Sequence, residues 1–325
     1  MDEARPLFLD VDTGVDDALA ILLAMRSSSL QLVGVTTVSG NTSSVQAARN
    51  TRFLLEQFGE HDQVPVVAGA THALQGREPQ IDSAIHGVDG LGGVYANHAC
   101  SEEPSGAADD ADAERAVDLL LEAAGRYRDE LTLVATGPLT HLALAARRDA
   151  AVLSKVGRVL AMGGAFDFSG NVTPVAEFNA SCDPEAYEVL LEAGISVELF
   201  PLDVTRRVQL LRSALNERLG LPAPELNLIR ELTGSYMDFH QGRSGLDGCY
   251  IHDALPVAAA AGWDGFGIRT TAVAVDTSQT ADRGRTVWCS DADRVRWRVA
   301  VDVDPEAFLV WYWQQVARGS SSTGC

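Results

Sequence analysis

Four aspartates lie within eight positions near the N-terminus, directly after an apolar run. The segment LFLDVDTGVDDALA (7–20) contains Asp10, Asp12, Asp16 and Asp17. Carboxylates held this close repel one another and raise each other's pKa. A bound cation is the first candidate to offset that repulsion. The spacing therefore indicates a metal site at the end of a buried strand.

Three other interpretations of these residues compete with a metal site. An EF-hand loop that begins at Asp10 needs Gly at position 15 and Glu at position 21, where the chain has Val15 and Ile21. A haloacid-dehalogenase-type phosphatase also begins with a strand that ends in DxD, but its pattern needs Thr or Val where the chain has Gly14. Acids that complement a helix dipole would explain the last two aspartates but not the first two.

Apolar, β-branched runs alternate with helical patterns through the first two thirds of the chain. Near-continuous apolar strands separated by helices are typical of a parallel sheet that is covered on both faces. We therefore predict an open, mostly parallel α/β sheet with a Rossmann-like core, whose site lies at the carboxyl ends of the strands. The predicted strands are 6–12, 30–39, 64–70, 131–136, 156–164 and 195–205, and two predicted helices between them are 16–25 and 43–58.

The last third of the chain has a different pattern. Residues 206–262 indicate mainly helix and loop, which we expect to form a helical region that caps the site. Three late strands are predicted at 266–276, 285–290 and 294–304, followed by an amphipathic helix at 305–319. Residues 100–114 indicate a polar, acidic loop. We expect 1–319 to form one α/β domain and 320–325 to be a disordered tail.

Composition limits the partners that the protein can have. A formal net charge of -20 argues against nucleic-acid phosphates and anionic membrane surfaces. No apolar stretch approaches the length of a membrane span, and the N-terminus does not have the pattern of a signal peptide. Five widely spaced cysteines without a CxxC pair favour reduced thiols. The acidity does not argue for any particular substrate, and we expect a soluble, cytoplasmic protein.

Polar or glycine-containing segments follow several predicted strands, and their motifs occur in a characteristic order. Together these motifs resemble the inosine–uridine-preferring nucleoside hydrolase family over nearly the whole chain. One departure is Thr13, where the family most often has Pro, which would only stiffen the turn. The motifs are DVDTGVDDALA (10–20), VSGN (38–41), HGVDGLGG (86–93), ATGPLT (135–140), AMGGA (161–165), EFNASCDPEA (177–186), HDAL (252–255) and RGRTVW (283–288).

The resemblance implies one calcium ion and identifies its ligands. These would be the carboxylates of Asp12, Asp17 and Asp253 and the backbone carbonyl of Thr136, completed by waters and substrate hydroxyls. An all-oxygen set with several carboxylates is what Ca²⁺ prefers. Asp10 faces the same side of the strand as Asp12, two residues away, and we expect it to support that residue rather than bind the metal.

The resemblance also implies a group of residues that hold a ribose. If residues 177–179 are extended, the first and last of them project to the same side and can reach one sugar. The expected ribose contacts are Asp16, Asn41, Glu177, Asn179 and Asp253, with Met162 contributing mainly through its backbone.

Histidines are expected beside the nucleobase. His252 and Asp253 are neighbours near a helix start, so they project roughly 100° apart and can serve the base and the metal respectively. His86 lies in a glycine-rich loop, and the resemblance places it on the base side. Tyr236 and His240 lie one turn apart on a predicted helix, where lining the base pocket and packing are equally compatible with the pattern.

The resulting expectation is a calcium-dependent ribonucleoside hydrolase that gives ribose and a free base. Asp12 would act as general base on a calcium-bound water, and His252 would donate a proton to the departing base. Two alternatives are a non-catalytic ribose- or nucleoside-binding protein and a DxD-type phosphatase, although the motifs that follow the predicted strands contain no cationic residue for a phosphate. The resemblance implies a homodimer or homotetramer, and the sequence leaves purine and pyrimidine nucleosides both open.

Overall fold

The computed structural model describes residues 4–59, 64–79, 81–98, 110–216, 223–291 and 293–318. The strands are β1 (Arg5–Val11), β2 (Leu30–Thr37), β3 (Val66–Ala68), β4 (Thr132–Ala135), β5 (Arg158–Met162), β6 (Glu198–Phe200), β7 (Gln209–Leu211), β8 (Gly248–Tyr250), β9 (Phe266–Val275), β10 (Thr286–Cys289) and β11 (Arg296–Val303). The α-helices are α1 (Val15–Arg26), α2 (Ser44–Phe58), α3 (Ser83–His86), α4 (Val94–His98), α5 (Asp110–Tyr127), α6 (Thr140–Leu153), α7 (Phe178–Cys182), α8 (Pro184–Glu192), α9 (Leu202–Thr205), α10 (Arg212–Asn216), α11 (Ala223–Ser244), α12 (Ala254–Ala260) and α13 (Pro305–Arg318).

Nine of the described strands form one sheet in the order β10-β9-β11-β6-β5-β4-β1-β2-β3. The pairs from β3 to β11 through the centre of the sheet are all parallel, and only β9 has the opposite direction, antiparallel to both β11 and β10. Strand order reverses between β1 and β4, where an open α/β sheet forms a crevice at the carboxyl ends. The predicted open, mostly parallel sheet is therefore confirmed.

Helices cover both faces of the sheet, as near-continuous apolar strands require. One layer contains α1, which packs against α2, α12 and α13, and the other contains α5, α6 and α8. Every residue of α1 from Val15 to Ala24 is buried, because α1 lies between the sheet and these helices. The Tyr312 hydroxyl of α13 donates to the carbonyl of Leu19, 3.0 Å away, so the last helix is fixed onto the first.

Four details differ from the sequence-based predictions. The predicted strand 195–205 ends at Phe200, because Pro201 interrupts it and begins α9. Segment 206–262 contains the small antiparallel sheet β7–β8 in addition to helices. Residues 110–114 belong to α5 rather than to a loop, since acidic residues also suit the start of a helix. Residues 177–179 are not extended, as described below.

Two predictions fall on residues without a structural description. The tail at 320–325 and the part of the acidic loop at 100–109 lie outside the described residues. Among the helices that are described, none has both the length and the apolar character needed to cross a bilayer.

Candidate active site

A cavity of about 390 Å³ lies at the carboxyl ends of the central strands, beneath α11. Most of the residues predicted for the site line this cavity, although they come from segments far apart in the sequence. They are Asp16, Asn41, His86, Thr136, Met162, Glu177, Asn179, His252 and Asp253. The two remaining predicted residues adjoin it, because the Asn41 side-chain amide donates to Asp12 Oδ1 (3.3 Å) and to Asp17 Oδ2 (3.2 Å).

Buried carboxylates converge at one end of the cavity. Oxygens of Asp16, Asp17 and Asp253 all lie within 4.8 Å of one another. Asp17 accepts hydrogen bonds from the Thr136 hydroxyl (2.6 Å) and the Gly14 amide (2.8 Å), whereas Asp16 Oδ1 is buried without a hydrogen-bond partner. Among the described residues, no arginine or lysine forms an ion pair with these three aspartates or with Asp12.

The electrostatics of this cluster favour a cation. Burial, followed by the charge of Asp17, raises the pKa of Asp12 well above its usual value and that of Asp16 to about 7. Burial also raises the pKa of Asp253, with further contributions from the neighbouring aspartates, and burial raises the pKa of Asp17. Several convergent carboxylate oxygens without a positive partner are a suitable donor set for a hard metal ion.

Asp12 is fixed by the loop that follows β2. Its Oδ2 accepts a hydrogen bond from the Asn41 backbone amide at 2.8 Å. A Cβ added to Gly40 would overlap Asp12 Oδ2, so only glycine allows the loop to approach this carboxylate. The glycine of the VSGN motif therefore has a direct steric role.

Asp10 lies outside the cavity, in a buried network behind it. Its Oδ1 accepts from the Thr36 hydroxyl (2.7 Å) and lies 2.7 Å from His141 Nδ1. Because His141 Nε2 accepts the Ala70 amide proton (2.8 Å), the imidazole hydrogen is on Nδ1 and is donated to Asp10. Asp10 therefore links β1 to β2 and to α6, and no hydrogen bond in the described part of the chain joins it to the carboxylate cluster.

Glu177 and Asn179 occupy a helix start rather than an extended segment. Glu177 is the N-cap of α7, and its carboxylate accepts from the backbone amides of Asn179 (2.9 Å), Ala180 (3.1 Å) and Gly164 (2.9 Å). Burial raises the pKa of Glu177 to about 6, although these hydrogen bonds oppose the shift. Both side chains still line the cavity, because the helix turn brings them to the same wall.

The orientation of the Asn179 amide follows from its contacts. Its Nδ2 donates to the backbone carbonyls of Thr136 (2.6 Å) and Met162 (3.2 Å). Its Oδ1 is therefore the atom left over, and it is buried without a partner. Asn179 thus offers the cavity an acceptor.

His86 is a buried residue at the end of α3. Its Nδ1 accepts the Val15 amide proton at 3.2 Å, and its ring stacks on Tyr236 with centroids 5.1 Å apart. Burial lowers the pKa of His86 to about 4, so the ring is neutral at pH 7 and carries its hydrogen on Nε2. A Cβ at Gly14 would come within 2.7 Å of His86 Nδ1, which explains the glycine in DVDTGVDD.

His252 faces the cavity from the turn that precedes α12, with Asp253 as the N-cap of that helix. Its Nδ1 lies 2.7 Å from the Thr205 hydroxyl. Burial, followed by the charge of Arg206, lowers the pKa of His252 to about 3. The ring is therefore uncharged at neutral pH.

The opposite wall comes from α11 and contains residues that sequence reasoning left open or missed. Tyr236 and His240 both line the cavity, and their ring centroids lie 4.6 Å apart. Residues missed from the sequence include Arg206 and Arg243, two cationic groups that line the cavity. Arg206 follows β6 closely, so the rule that polar residues after a strand build the site would have found it.

Comparisons with known proteins agree with one another. The model of the family described as inosine-uridine preferring nucleoside hydrolase matches residues 7–310. The chain is 36% identical over 271 residues to uridine nucleosidase 1 of Arabidopsis thaliana, covering 83% of this chain and 78% of that protein. It is 32% identical over 318 residues to the pyrimidine-specific ribonucleoside hydrolase RihA of Klebsiella pneumoniae, covering 97% of this chain and 99% of that protein.

Solved structures give the same result. A plant nucleoside hydrolase superimposes with a TM-score of 0.87 at 29% identity, covering 96% of this chain and 99% of that one. A purine-preferring ribonucleoside hydrolase from Gardnerella vaginalis superimposes with a TM-score of 0.85 at 30% identity, covering 97% and 99%.

Proposed function

The chain belongs to the inosine–uridine-preferring nucleoside hydrolase family, and we propose that its cavity binds a nucleoside with the ribose against the aspartate cluster and the base against α11. The protein is a hydrolase that cleaves the N-glycosidic bond of ribonucleosides. The observation that supports this orientation is the contrast between the two ends of the cavity. One end is a group of buried carboxylates, and the other is lined by aromatic rings and imidazoles.

The family is metal-dependent in general, and we propose that this chain binds Ca²⁺. Asp12, Asp17, Asp253 and the backbone carbonyl of Thr136 would hold the ion. Their oxygens are hard donors; burial raises the pKa of all three carboxylates, with like charges adding to the shift at Asp12 and Asp253, and a bound cation would oppose that shift. When bound, Ca²⁺ would supply Lewis-acid chemistry that lowers the pKa of a water molecule.

Two buried acceptors without partners support the ribose assignment. Asp16 Oδ1 and Asn179 Oδ1 both line the cavity and accept no hydrogen bond from the described residues. The hydroxyls of a ribose are donors, so a bound sugar would satisfy acceptors that otherwise carry a desolvation cost. The remaining proposed ribose contacts are Asn41, Met162, Glu177 and Asp253.

The reaction replaces the C1′–N bond of the nucleoside with a C1′–O bond to water. Asp12, held by Asn41, takes a proton from the attacking water, which requires the ionised carboxylate that a nearby cation favours. Positive charge that develops on the ribose as the bond breaks is stabilised by the neighbouring carboxylates. These interactions strengthen in the transition state, which is the condition for catalysis.

His252 supplies an N–H to the departing base. Because burial lowers its pKa to about 3, the ring is neutral, and loss of its remaining N–H proton would leave an imidazolate. The N–H therefore donates a hydrogen bond that stabilises the negative charge developing on the base, and solvent supplies the proton that the released base takes up. Its contribution is therefore expected at the lower end of the general-acid range, about 10²-fold. His86, with its Nε2 hydrogen, is proposed to contact the base from the other side.

Uridine is proposed as a substrate, since the curated relatives described above are named for uridine and pyrimidine nucleosides. The test is product analysis of calcium-loaded protein with uridine, cytidine, inosine and adenosine, with Asp12→Asn as the matched control. We expect free base and ribose from the native chain only. Tight nucleoside binding without release of base would instead indicate a nucleoside-binding protein.

Assembly, domain organisation and location are also proposals. A single domain over 1–319, a homodimer or homotetramer, and a cytoplasmic location rest on the sequence pattern and the family resemblance. Limited proteolysis tests the first, light scattering tests the second, and cell fractionation tests the third.

A further inference from the structure

We propose that Thr205 is a positioning residue that fixes the ring orientation and tautomer of His252, an inference that rests on the proposed role of His252 at the base. The Thr205 hydroxyl lies 2.7 Å from His252 Nδ1, and both side chains are buried. No other residue in the described part of the chain forms a hydrogen bond with this hydroxyl.

The direction of this hydrogen bond depends on the tautomer of His252, and we take the hydroxyl as the donor by comparison with other helical threonines. Thr51 and Thr233 donate their hydroxyl protons to the carbonyls four residues earlier, at 2.8 Å and 2.7 Å. Thr205 is the last residue of the short helix α9, and its hydroxyl makes no such bond. Its proton is therefore available to His252 Nδ1, which places the imidazole hydrogen on Nε2.

The hydroxyl is held on a rigid support. Pro201 starts α9 after β6, and the Leu202 amide donates to the Gly164 carbonyl at 2.9 Å. Asp203 accepts from three successive backbone amides of the loop that follows β5, at 2.7–3.2 Å, and so fixes α9 to that loop. These contacts determine where the Thr205 hydroxyl lies, independently of His252.

Without the Thr205 hydroxyl, no described hydrogen bond would fix the orientation or the tautomer of the His252 ring. Apart from Thr205, the contact described for the His252 ring is a tilted packing against Tyr250, with centroids 5.3 Å apart. That contact does not distinguish the two tautomers or the two ring flips. Only one combination of tautomer and ring flip presents an N–H to the cavity. Loss of the hydroxyl therefore lowers the fraction of molecules in which His252 can donate to the base. Comparable supporting hydrogen bonds are worth about 10–100-fold in activity.

The experiment compares Thr205→Val, which keeps the shape without the hydroxyl, with Thr205→Ser, which keeps the hydroxyl. We expect Thr205→Val to lower kcat for uridine about 10–100-fold with little change in KM, and to spare a nitrophenyl riboside, whose leaving group needs no proton. Thr205→Ser should restore kcat to within a few-fold of the native chain. In a His252→Ala background, Thr205→Val should have no further effect, because the two residues act as one unit.

Equal slowing of both substrates by Thr205→Val, or an additive effect in the His252→Ala background, would overturn the proposal. A second readout is independent of catalysis: ¹⁵N imidazole NMR of the free protein, with the His252 signal assigned by its absence in His252→Ala. We expect an unprotonated Nδ1 in the native chain and a changed tautomer ratio in Thr205→Val; a protonated Nδ1 in the native chain would refute the inference. If His252→Ala itself slows both substrates equally, the acid role fails, and the NMR result still decides the role of Thr205.

Discussion

Removal of the metal should make the stability of this protein fall as pH rises, and Asp16→Asn should abolish much of that effect. In the metal-free chain, burial and the charge of Asp17 raise the pKa of Asp16 to about 7, against about 3.9 for an ordinary aspartate. Between these two values the folded chain binds more protons than the unfolded chain. The free energy of unfolding therefore decreases with rising pH through this window.

The magnitude follows from the same two pKa values. Their difference corresponds to a loss of about 4 kcal/mol in the free energy of unfolding over the whole pH window. About 3 kcal/mol of this loss occurs between pH 5 and pH 8. His86 has the opposite effect, because its pKa is lowered to about 4 and the unfolded chain binds its proton more readily. The histidine contribution is present in both the native chain and Asp16→Asn, so it largely cancels when the two are compared. The charge of Asp16 also helps to raise the pKa of Asp12 and Asp253, so its removal acts in the same direction and about 3 kcal/mol is a lower bound.

The assay is urea unfolding of metal-free native protein and Asp16→Asn at pH 5 and pH 8, with Asp264→Asn as a control on an exposed aspartate. As the pH is raised from 5 to 8, we expect the free energy of unfolding of Asp16→Asn to increase by about 3 kcal/mol relative to that of the native chain. The free energy of unfolding of the control should not change relative to the native chain. Saturating Ca²⁺ should stabilise the native chain most at pH 8, since its ligands must be deprotonated. A difference between Asp16→Asn and the native chain that does not vary with pH would refute the electrostatic reasoning.

Further predictions concern turnover. Asp12→Asn should lower kcat by at least about 10²–10⁴-fold while the fold persists, as circular dichroism and steady-state assays will show. His252→Ala should slow uridine but not a nitrophenyl riboside, whereas Asp253→Asn should slow both, because its loss damages the metal and ribose contacts. Gly40→Ala should reduce activity through the overlap with Asp12, while the matched control Gly234→Ala, whose Cβ would enter open space on α11, should leave kcat unchanged.

The aspartate-bearing part of the site could be predicted from the sequence because its motifs follow apolar strands. Each such strand is recognisable by itself, and parallel strands bring their carboxyl ends to one edge. The region after β6 was predicted wrongly because ISVELFPLDVT looks like one long apolar strand. Pro201 divides it, so Thr205 was assigned to the end of a strand rather than to the short helix α9, and Arg206 was predicted only as the first residue of the capping region.

The sequence of α11 contains no local motif that distinguishes a cavity-lining helix from a helix packed on the core. Tyr236, His240 and Arg243 face the cavity from successive turns of the helix, and this spacing is the same one that packs a helix onto a core. The strands β7 and β8 have three residues each and pair across a long separation, which periodicity does not detect. Glu177 was placed in an extended segment because glutamate is not among the residues preferred at an N-cap.

The long sequence separation between the aspartates of the carboxylate cluster affects how the protein folds. The carboxylate cluster combines the start of α1, the helix that follows β1, with Asp253, more than two hundred residues later in the chain. Contacts between segments so far apart form late, because closing a long loop precedes any gain from them. An ion held by this cluster should therefore stabilise the native state more than the folding transition state. In stopped-flow experiments Ca²⁺ should slow unfolding and leave the refolding rate nearly unchanged, so that the ion extends the lifetime of the native protein.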